Sequence, residues 1–307
     1  MSETVDHSPG ATFAASIIVP SYNEELRIAP LLATLSQVAL DLHYLVIVAC
    51  NGCNDRTSDM ARSTPGLSVI DIVEPGKARA LNEADQFASD VFPRLYVDAD
   101  VQTDADSLRL LVEALRVLEP RAVRPNASYL VEGAPWLVRA YYSARTLIPS
   151  SRQWETQHIE GHYIYGTNES GRVRFGEFPH IIADDAFFDR MFDPDEKVAV
   201  SGARVAVPLP PSSRQLFRGL TRVYVGNSEL TEWLEQHRPD RLFVDHNSPS
   251  PRLPFLDRLG HFAHGGTTFE SWNPKTVIVV FATLRLVTLA KWNARRLRKA
   301  NRRPDWR

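Results

Sequence analysis

The chain has little cysteine, little methionine and no long uninterrupted apolar run. Its 307 residues include two cysteines and three methionines, and 44% are hydrophobic. Two cysteines are too few for a disulfide framework and fit a reducing compartment. The pair Cys50-x-x-Cys53 leaves redox or metal chemistry as an alternative, although no second pair completes a zinc site. The opening residues are polar and lack a basic flank, so we expect no secretory signal and a cytoplasmic protein.

The most apolar window, Thr276–Trp292, is too short to predict a membrane-spanning helix. It is interrupted by Arg285, and a spanning helix needs about 20 apolar residues. Residues 291–307 carry eight basic side chains and one acidic one, which leaves a net charge of −9 on the rest. A basic end on an acidic body predicts an anionic partner. Two alternatives stay open: an interfacial helix on the inner face of an anionic membrane, and a helix packed on the body. Aromatic residues are not interleaved through this end, so nucleic acid is not an expected partner.

Apolar runs alternate with helical patterns through about residue 118. We expect strands over residues 15–20, 44–49, 67–73 and 95–97, with helices between them on short loops. This order predicts an α/β protein with a doubly wound, mainly parallel sheet flanked by helices.

The later pattern is less regular. It predicts helices over 136–146 and 212–235 and a strand pair over 198–207. The expected divisions are a disordered lead over 1–14, two halves of one domain over 15–118 and 119–235, and an extension with an apolar helix and a basic tail over 236–307.

Two carboxylates follow the fourth predicted strand. Asp98 and Asp100 come directly after Leu95–Val97, with the small Ala99 between them. Two carboxylates this close repel each other unless a cation lies between them. Mg²⁺ and Mn²⁺ prefer oxygen ligands, and substrate phosphates usually supply part of their coordination shell. The pattern therefore predicts a metal-diphosphate site at a strand end. The alternative is a solvated Asp-rich turn that caps the next helix.

Five motifs occur in order between about residues 15 and 235. They are Val19-Pro20-Ser21-Tyr22-Asn23-Glu24-Glu25, Asn51-Gly52-Cys53-Asn54-Asp55-Arg56-Thr57, Gly76-Lys77-Ala78-Arg79-Ala80-Leu81-Asn82, Val97-Asp98-Ala99-Asp100 and Ala183-Asp184-Asp185. This set resembles the signature of family-2 glycosyltransferases with the GT-A fold. The resemblance implies an inverting, Mg²⁺- or Mn²⁺-dependent enzyme that moves a sugar from a nucleotide-diphosphate donor to an acceptor hydroxyl of a glycan or a lipid-linked acceptor. It also implies that the first half binds the nucleotide sugar and the second half the acceptor.

The resemblance assigns the donor site residue by residue. Pro20, Tyr22 and Glu24 would line the nucleotide pocket at the end of the first strand. Lys77, at a helix start after a glycine, is placed to meet phosphate; the alternative is a solvated lysine. By resemblance Asp98 would face ribose or sugar hydroxyls or share the metal.

The remaining roles concern the metal and the general base. By resemblance Asp100 would hold the metal, and Asp184 and Asp185 match the family's acidic pair, whose second member is the base. Adjacent acids repel and raise at least one pKa, which suits a base near neutral pH. The alternative for this pair is a helix cap.

Three features depart from the family pattern or extend it. Many members carry two acids after the second strand, where this chain has Cys50 and Asn51, so Asn51 or a backbone carbonyl is expected to read the base. Arg218 belongs to an arginine row at four-residue spacing, which would neutralise diphosphate or form a solvated face. The Gln-x-x-Arg-Trp motif of processive members is absent from the sequence, which favours a single transfer.

Rival interpretations come from other classes. In a haloacid-dehalogenase-like phosphatase Asp98 would be the nucleophile and Asp100 the acid, although that family carries its motif on the first strand. A non-catalytic nucleotide-sugar-binding module of the same fold is a second alternative. A metal-ligand role for His246, His261 or His264 also stays open.

Overall fold

The computed structural model describes residues 12–147, 158–242 and 274–300. The chain divides into two compact units. The first comprises residues 1–129, 159–180 and 184–208, and the second comprises 130–158, 181–183 and 209–307. The chain therefore leaves the first unit and returns to it twice, whereas the sequence predicted consecutive divisions at 118 and 235. Most of the predicted disordered lead, and the histidines considered as metal ligands, lie outside the described residues.

The described residues include a seven-stranded sheet with the order β3-β2-β1-β4-β6-β5-β7. The strands are β1 (Ala15–Ser21), β2 (Tyr44–Asn51), β3 (Leu67–Ile72), β4 (Arg94–Val97), β5 (Ala122–Leu130), β6 (Ile164–Thr167) and β7 (Lys197–Pro208).

Helices alternate with these strands. They are α1 (Ala29–Leu42), α2 (Thr57–Arg62), α3 (Lys77–Ala88), α4 (Ala105–Ala114), α5 (Trp136–Leu147), α6 (Glu169–Arg172), α7 (Asp184–Arg190), α8 (Ser213–His237) and α9 (Pro274–Lys299). Short 3₁₀ turns cover Pro194–Glu196 and Pro239–Arg241.

The parallel half of the sheet is the part that the sequence predicted. β1 pairs in parallel with β2 on one side and with β4 on the other, and β2 pairs in parallel with β3. Every residue of β1 and β2 is buried, which agrees with their continuous apolar runs, because parallel strands are covered on both faces. The chain reverses its direction of winding between β1 and β4, and open α/β sheets bind ligands outside the carboxyl ends of strands at such a point.

Most of the antiparallel half of the sheet was not predicted from the sequence. β6 pairs antiparallel with both β4 and β5. β5 contains Pro125, a residue that disfavours a strand within a sheet, and β6 is four residues long within a glycine-rich stretch. At Gly166 a β-carbon would lie 2.7 Å from the carbonyl oxygen of Arg94, so this glycine permits close backbone approach. The predicted strand pair over 198–207 is the single long strand β7.

A buried charged cluster holds α3, β4 and α6 together. Asp85 Oδ1 lies 2.7 Å from Nη1 of Arg94, and Asp85 Oδ2 lies 2.8 Å from Nη2 of Arg172. The hydroxyl of Tyr96 donates to Asp85 Oδ1 at 2.9 Å. Because the Asp85 and Arg94 side chains are at most 6% exposed, this cluster is part of the core rather than of the solvent surface.

In the second unit α9 packs against α8 and α5. Val287, Ala290 and Ala294 are buried along one face of α9, and Lys291 lies over the ring of Tyr224 at 5.1 Å. This packing agrees with the packed-helix alternative, while Trp292 remains 60% exposed on the same helix. Within the described ranges, no helix combines the length and apolar character needed to cross a membrane.

Candidate active site

The candidate residues of the first unit converge beyond the carboxyl ends of β1, β2 and β4. Asp98 and Asp100 follow β4 directly, and the backbone N–H of Asp98 donates to the carbonyl of Tyr163 at 2.9 Å. Lys77 is the first residue of α3, and Asp184 and Asp185 open α7. The sequence predicted these residues on separate elements, and the fold places Lys77, Asp98 and Asp184 in direct contact.

Lys77 connects the aspartate after β4 to the acidic pair on α7. Its Nζ atom lies 2.8 Å from Asp98 Oδ1 and 3.0 Å from Asp184 Oδ2. Burial lowers the pKa of Lys77, but the nearby carboxylates, Asp184 foremost, outweigh burial and raise it, so this side chain is an ammonium ion. The alternative of a freely solvated lysine is wrong for this conformation, since only 22% of the side chain is exposed.

Asp184 is an anchored and buried carboxylate. Its side chain is 4% exposed, and its Oδ2 atom forms an ion pair with Lys77 at 3.0 Å and accepts a hydrogen bond from the hydroxyl of Tyr165 at 2.8 Å. Burial raises the pKa of Tyr165 well above its usual range, so the phenol keeps the proton that it donates. Both of these contacts restrain Asp184 in one position.

Asp185 is held by backbone donors instead. Its Oδ2 atom accepts from the N–H of Gly161 at 2.8 Å, and its Oδ1 atom accepts from the N–H of Ala186 at 2.8 Å. Burial raises the pKa of Asp185, and the neighbouring carboxylate of Asp184 raises it further. A carboxylate with a raised pKa is better matched to proton transfer near neutral pH.

Asp100 and Glu24 are two further acidic residues of the site. The side chain of Asp100 is 38% exposed, and its Oδ2 atom lies 3.7 Å from Nη1 of Arg27. Burial raises the pKa of Glu24 to about 7, and the charge of Asp100 contributes to the increase. Burial also raises the pKa of Asp98 to about 6. Burial is the largest cause of both increases, and the nearby carboxylates add to it.

This donor set fits a hard divalent cation. Asp98 and Asp100 supply carboxylate oxygens, the ligands that Mg²⁺ and Mn²⁺ prefer. Within the part of the chain that the structure describes, no three histidine, cysteine, aspartate or glutamate side chains surround one metal position. A cation held by one or two carboxylates keeps other positions for diphosphate oxygens, which is the usual arrangement for Mg²⁺.

The residues expected to contact the nucleotide lie at the ends of β1 and β2. Pro20 is buried in β1, and Tyr22 is half-buried just after it. Asn51 is 4% exposed; its Nδ2 atom donates to the carbonyl of Ser21 at 2.8 Å and its Oδ1 atom accepts from Gly76 N–H at 3.0 Å. Through these two hydrogen bonds the amide ties β1, β2 and the start of α3 together, and its contact with a base stays a prediction.

Arg218 does not belong to the elements that carry the residues described above. It is on α8, in the second unit, and is exposed. Its contact with diphosphate stays a prediction. Asn82, on α3, exchanges two hydrogen bonds with the backbone of Phe178, at 3.0 and 2.7 Å.

Three site residues were missed from the sequence. Arg27 follows the first motif by two residues, and its spacing from Glu24 was the available signal. Tyr165 and Gly161 lie in a glycine-rich stretch where the sequence pattern predicts neither a helix nor a strand. No local signal connects Tyr165 to Asp184, because the contact arises from the antiparallel pairing of β6 with β4.

Comparison with known proteins identifies a family and a curated relative that this chain resembles. Residues 16–176 match the family described as Glycosyl transferase family 2. The dolichol-phosphate mannosyltransferase of Pyrococcus furiosus is 26% identical over 106 residues, which cover 33% of this chain and 30% of that relative. The present chain therefore aligns with less than a third of the length of this curated relative.

Solved structures show a similar fold. The mannosyltransferase PcManGT from Pyrobaculum calidifontis, in complex with GDP-Man and Mn²⁺, has a TM-score of 0.57 and 17% identity, over 91% of this chain and 88% of that one. Glucosyl-3-phosphoglycerate synthase from Mycobacterium tuberculosis, in complex with phosphoglyceric acid, has a TM-score of 0.50 and 19% identity, over 74% and 80%. These likenesses confirm the GT-A fold. The family match covers more than half of this chain, and it shows that the chain belongs to glycosyl transferase family 2.

Proposed function

We propose that the protein is an inverting, divalent-cation-dependent glycosyltransferase that transfers one sugar per acceptor from a nucleotide-diphosphate donor. The observation that carries this proposal is the cluster of Lys77, Asp98 and Asp184 beside Asp100 and Asp185, beyond the strand ends of a GT-A sheet. The family membership supports glycosyl transfer and argues against the phosphatase alternative, since three strands precede the Asp98 strand.

The diphosphate of the donor would lie against Lys77 and the carboxylates after β4. Asp100 and Asp98 would hold Mg²⁺ or Mn²⁺, which when bound neutralises charge that develops on the leaving diphosphate. Lys77 adds a positive charge on the same side, and its side chain is 22% exposed, which leaves it accessible to an anion. Fixed charges of this kind lower the barrier because they need no reorganisation during the reaction.

Asp185 would act as the general base toward the acceptor. The acceptor oxygen forms a bond to the anomeric carbon, the bond from that carbon to the diphosphate oxygen breaks, and the acceptor proton passes to Asp185. The backbone N–H groups of Gly161 and Ala186 hold this carboxylate in place. Attack from the face opposite the leaving group accounts for inversion, and the absence of the processive motif supports a single transfer.

The proposal specifies the chemical class of the donor and of the acceptor, and it does not name one compound for either. PcManGT was solved with GDP-Man and Mn²⁺, and the Pyrococcus furiosus relative is named a dolichol-phosphate mannosyltransferase. GDP-mannose with Mn²⁺ is therefore the first donor to test, with UDP-sugars beside it, and a glycan or a lipid-linked hydroxyl is the proposed acceptor. A cytoplasmic location at the inner face of the membrane accords with such an acceptor.

Donor turnover tests the proposal. We expect slow, Mn²⁺- or Mg²⁺-dependent release of nucleoside diphosphate from one sugar nucleotide, accelerated by the correct acceptor. Binding of sugar nucleotide without any turnover, across acceptors, would favour the non-catalytic module. Release of phosphate from simple monoesters that depends on Asp98 would favour the phosphatase.

A further inference from the structure

Tyr165 occupies a position that the donor and base roles leave unexplained. It lies on β6, and its hydroxyl donates to Asp184 Oδ2 at 2.8 Å. The same oxygen forms an ion pair with the Lys77 ammonium at 3.0 Å, and that ammonium donates to Asp98 Oδ1 at 2.8 Å. These four side chains make a continuous chain of hydrogen bonds and ion pairs across β6, α7, α3 and β4.

Exposure falls steadily along this chain. The side chains of Asp98 and Lys77 are 28% and 22% exposed, whereas that of Asp184 is 4% exposed and Tyr165 is 3% exposed. A ligand can therefore reach Lys77 and Asp98 but not Tyr165. An effect of Tyr165 on a ligand would have to pass through Asp184.

The ammonium of Lys77 is shared between two competing carboxylates. The phenol of Tyr165 supplies one hydrogen bond to Asp184 and so satisfies part of the demand of that carboxylate for donors. Without the phenol, Asp184 would rely on Lys77 and draw the ammonium away from Asp98. The lysine would then be displaced from the side on which a diphosphate can approach.

We propose that Tyr165 is a positioning residue for donor binding, which acts through Asp184 to hold the Lys77 ammonium where it meets Asp98 and an incoming diphosphate. The inference rests on the proposed function, because it takes the ligand to be a nucleoside diphosphate. It also gives Asp184 a role distinct from Asp185: the buried member of the acidic pair anchors the lysine, and its neighbour transfers the proton.

The test replaces the phenol and keeps the ring. In Tyr165→Phe the ring keeps its stacking on Tyr96 at 5.1 Å and its tilted contact with Phe188 at 4.7 Å, so we expect the variant to fold. Tyr96→Phe is the matched control, since its hydroxyl belongs to the same buried aromatic cluster but donates to Asp85. Affinity is measured by calorimetry with GDP, UDP, ADP, CDP and dTDP, each with Mn²⁺, and melting temperature is measured on the same samples.

We expect Tyr165→Phe to weaken binding of the preferred nucleoside diphosphate by about threefold to thirtyfold, as for partial loss of a hydrogen bond to a charged group. Tyr96→Phe should bind as the wild type does, even if it melts earlier. In donor hydrolysis, Tyr165→Phe should raise KM more than it lowers kcat, because its effect is on binding.

A double-mutant cycle separates positioning from a general structural role. In a Lys77→Gln background the further change Tyr165→Phe should leave nucleoside diphosphate affinity unchanged within about twofold, since the residue through which the phenol acts is gone. An equal loss of affinity in both backgrounds, or wild-type affinity in Tyr165→Phe alone, overturns the positioning role while the proposed function stands. If the wild-type protein binds none of the five nucleotides with Mn²⁺, the proposed function fails and this inference fails with it.

Discussion

At the scale of single residues, Asp185 is the side chain on which transfer depends most directly. We expect Asp185→Asn to leave donor and metal binding nearly unchanged and to reduce turnover about 10²–10⁴-fold, the usual contribution of positioned base catalysis. Donor affinity by calorimetry and initial rates of sugar transfer measure the two effects. Asp106→Asn, an exposed change on α4, is the control. Full transfer activity in Asp185→Asn would exclude this residue as the base.

Glu24 makes the stability of the protein depend on pH. Burial and then the charge of Asp100 raise its pKa to about 7 in the folded state, so the folded protein binds this proton more tightly than the unfolded chain does. The contribution to stability is complete below the unfolded pKa and is lost as the pH rises through about 7. We expect Glu24→Gln to raise the melting temperature at pH 8 and to change it little at pH 4.

Melting curves from pH 4 to 8 without divalent cation check this sign. The exposed change Glu83→Gln on α3 should not alter the pH dependence. A Glu24→Gln variant that is destabilised at pH 8 would show that the carboxylate is stabilised in its ionised form, contrary to the account.

At the scale of secondary-structure elements, the cluster around Asp85 fixes α3 against β4 and α6. Asp85→Ala leaves the guanidinium of Arg94 buried without its carboxylate partner, which typically costs about 3–5 kcal/mol in the free energy of unfolding. Denaturant unfolding measures this loss, and Asp106→Ala should change stability by less than about 0.5 kcal/mol. A loss of similar size in both variants would show that the cluster contributes no more to the free energy of unfolding than an exposed carboxylate does.

The sequence predicted the parallel strands and the candidate residues because both leave local signals. Continuous apolar runs such as those of β1 and β2 end at polar motifs, and the carboxyl ends of parallel strands meet at one edge. β5 and β6 leave weak signals, since one contains Pro125 and the other is four residues long with a glycine. The Tyr165–Asp184 contact depends on that unpredicted pairing. No spacing in the sequence could have indicated it.

Helix α9 presents two different faces. Val287, Ala290 and Ala294 are buried, whereas Trp292 and Leu289 are 60% and 48% exposed beside the exposed Arg295. Deleting residues 276–307, the simplest test of membrane attachment, would also remove the packed face. Point changes on the exposed face avoid this problem.

We expect the variant Trp292→Ser/Arg295→Glu to lose most of its binding to vesicles of anionic phospholipid and to keep the wild-type melting temperature. Sedimentation with vesicles at low and high salt measures binding, because attraction of basic side chains to anionic lipid is screened by salt. The paired change Val223→Ser/Arg214→Glu on α8, at exposed positions of another helix, is the control. Unchanged salt-sensitive binding would assign the membrane contact to another surface.

At the scale of the whole molecule, charge is distributed unevenly along the chain. A net charge of −2 combines a basic end with an acidic remainder that includes the candidate site. An acidic site repels a nucleoside diphosphate unless a cation accompanies it. The whole-chain charge pattern therefore agrees with a donor that binds together with its metal, and with a basic region that binds a different anion.

The central claim, a metal-dependent diphosphate site after β4, is tested most directly by calorimetry of the preferred nucleoside diphosphate with and without Mn²⁺. The comparison is between the wild-type protein, Asp100→Ala and the exposed control Asp106→Ala. The account predicts that Mn²⁺ strengthens binding at least tenfold in the wild type and in Asp106→Ala, and that this gain is lost in Asp100→Ala while its melting temperature without ligand is retained. An unchanged gain from Mn²⁺ in Asp100→Ala would contradict the account.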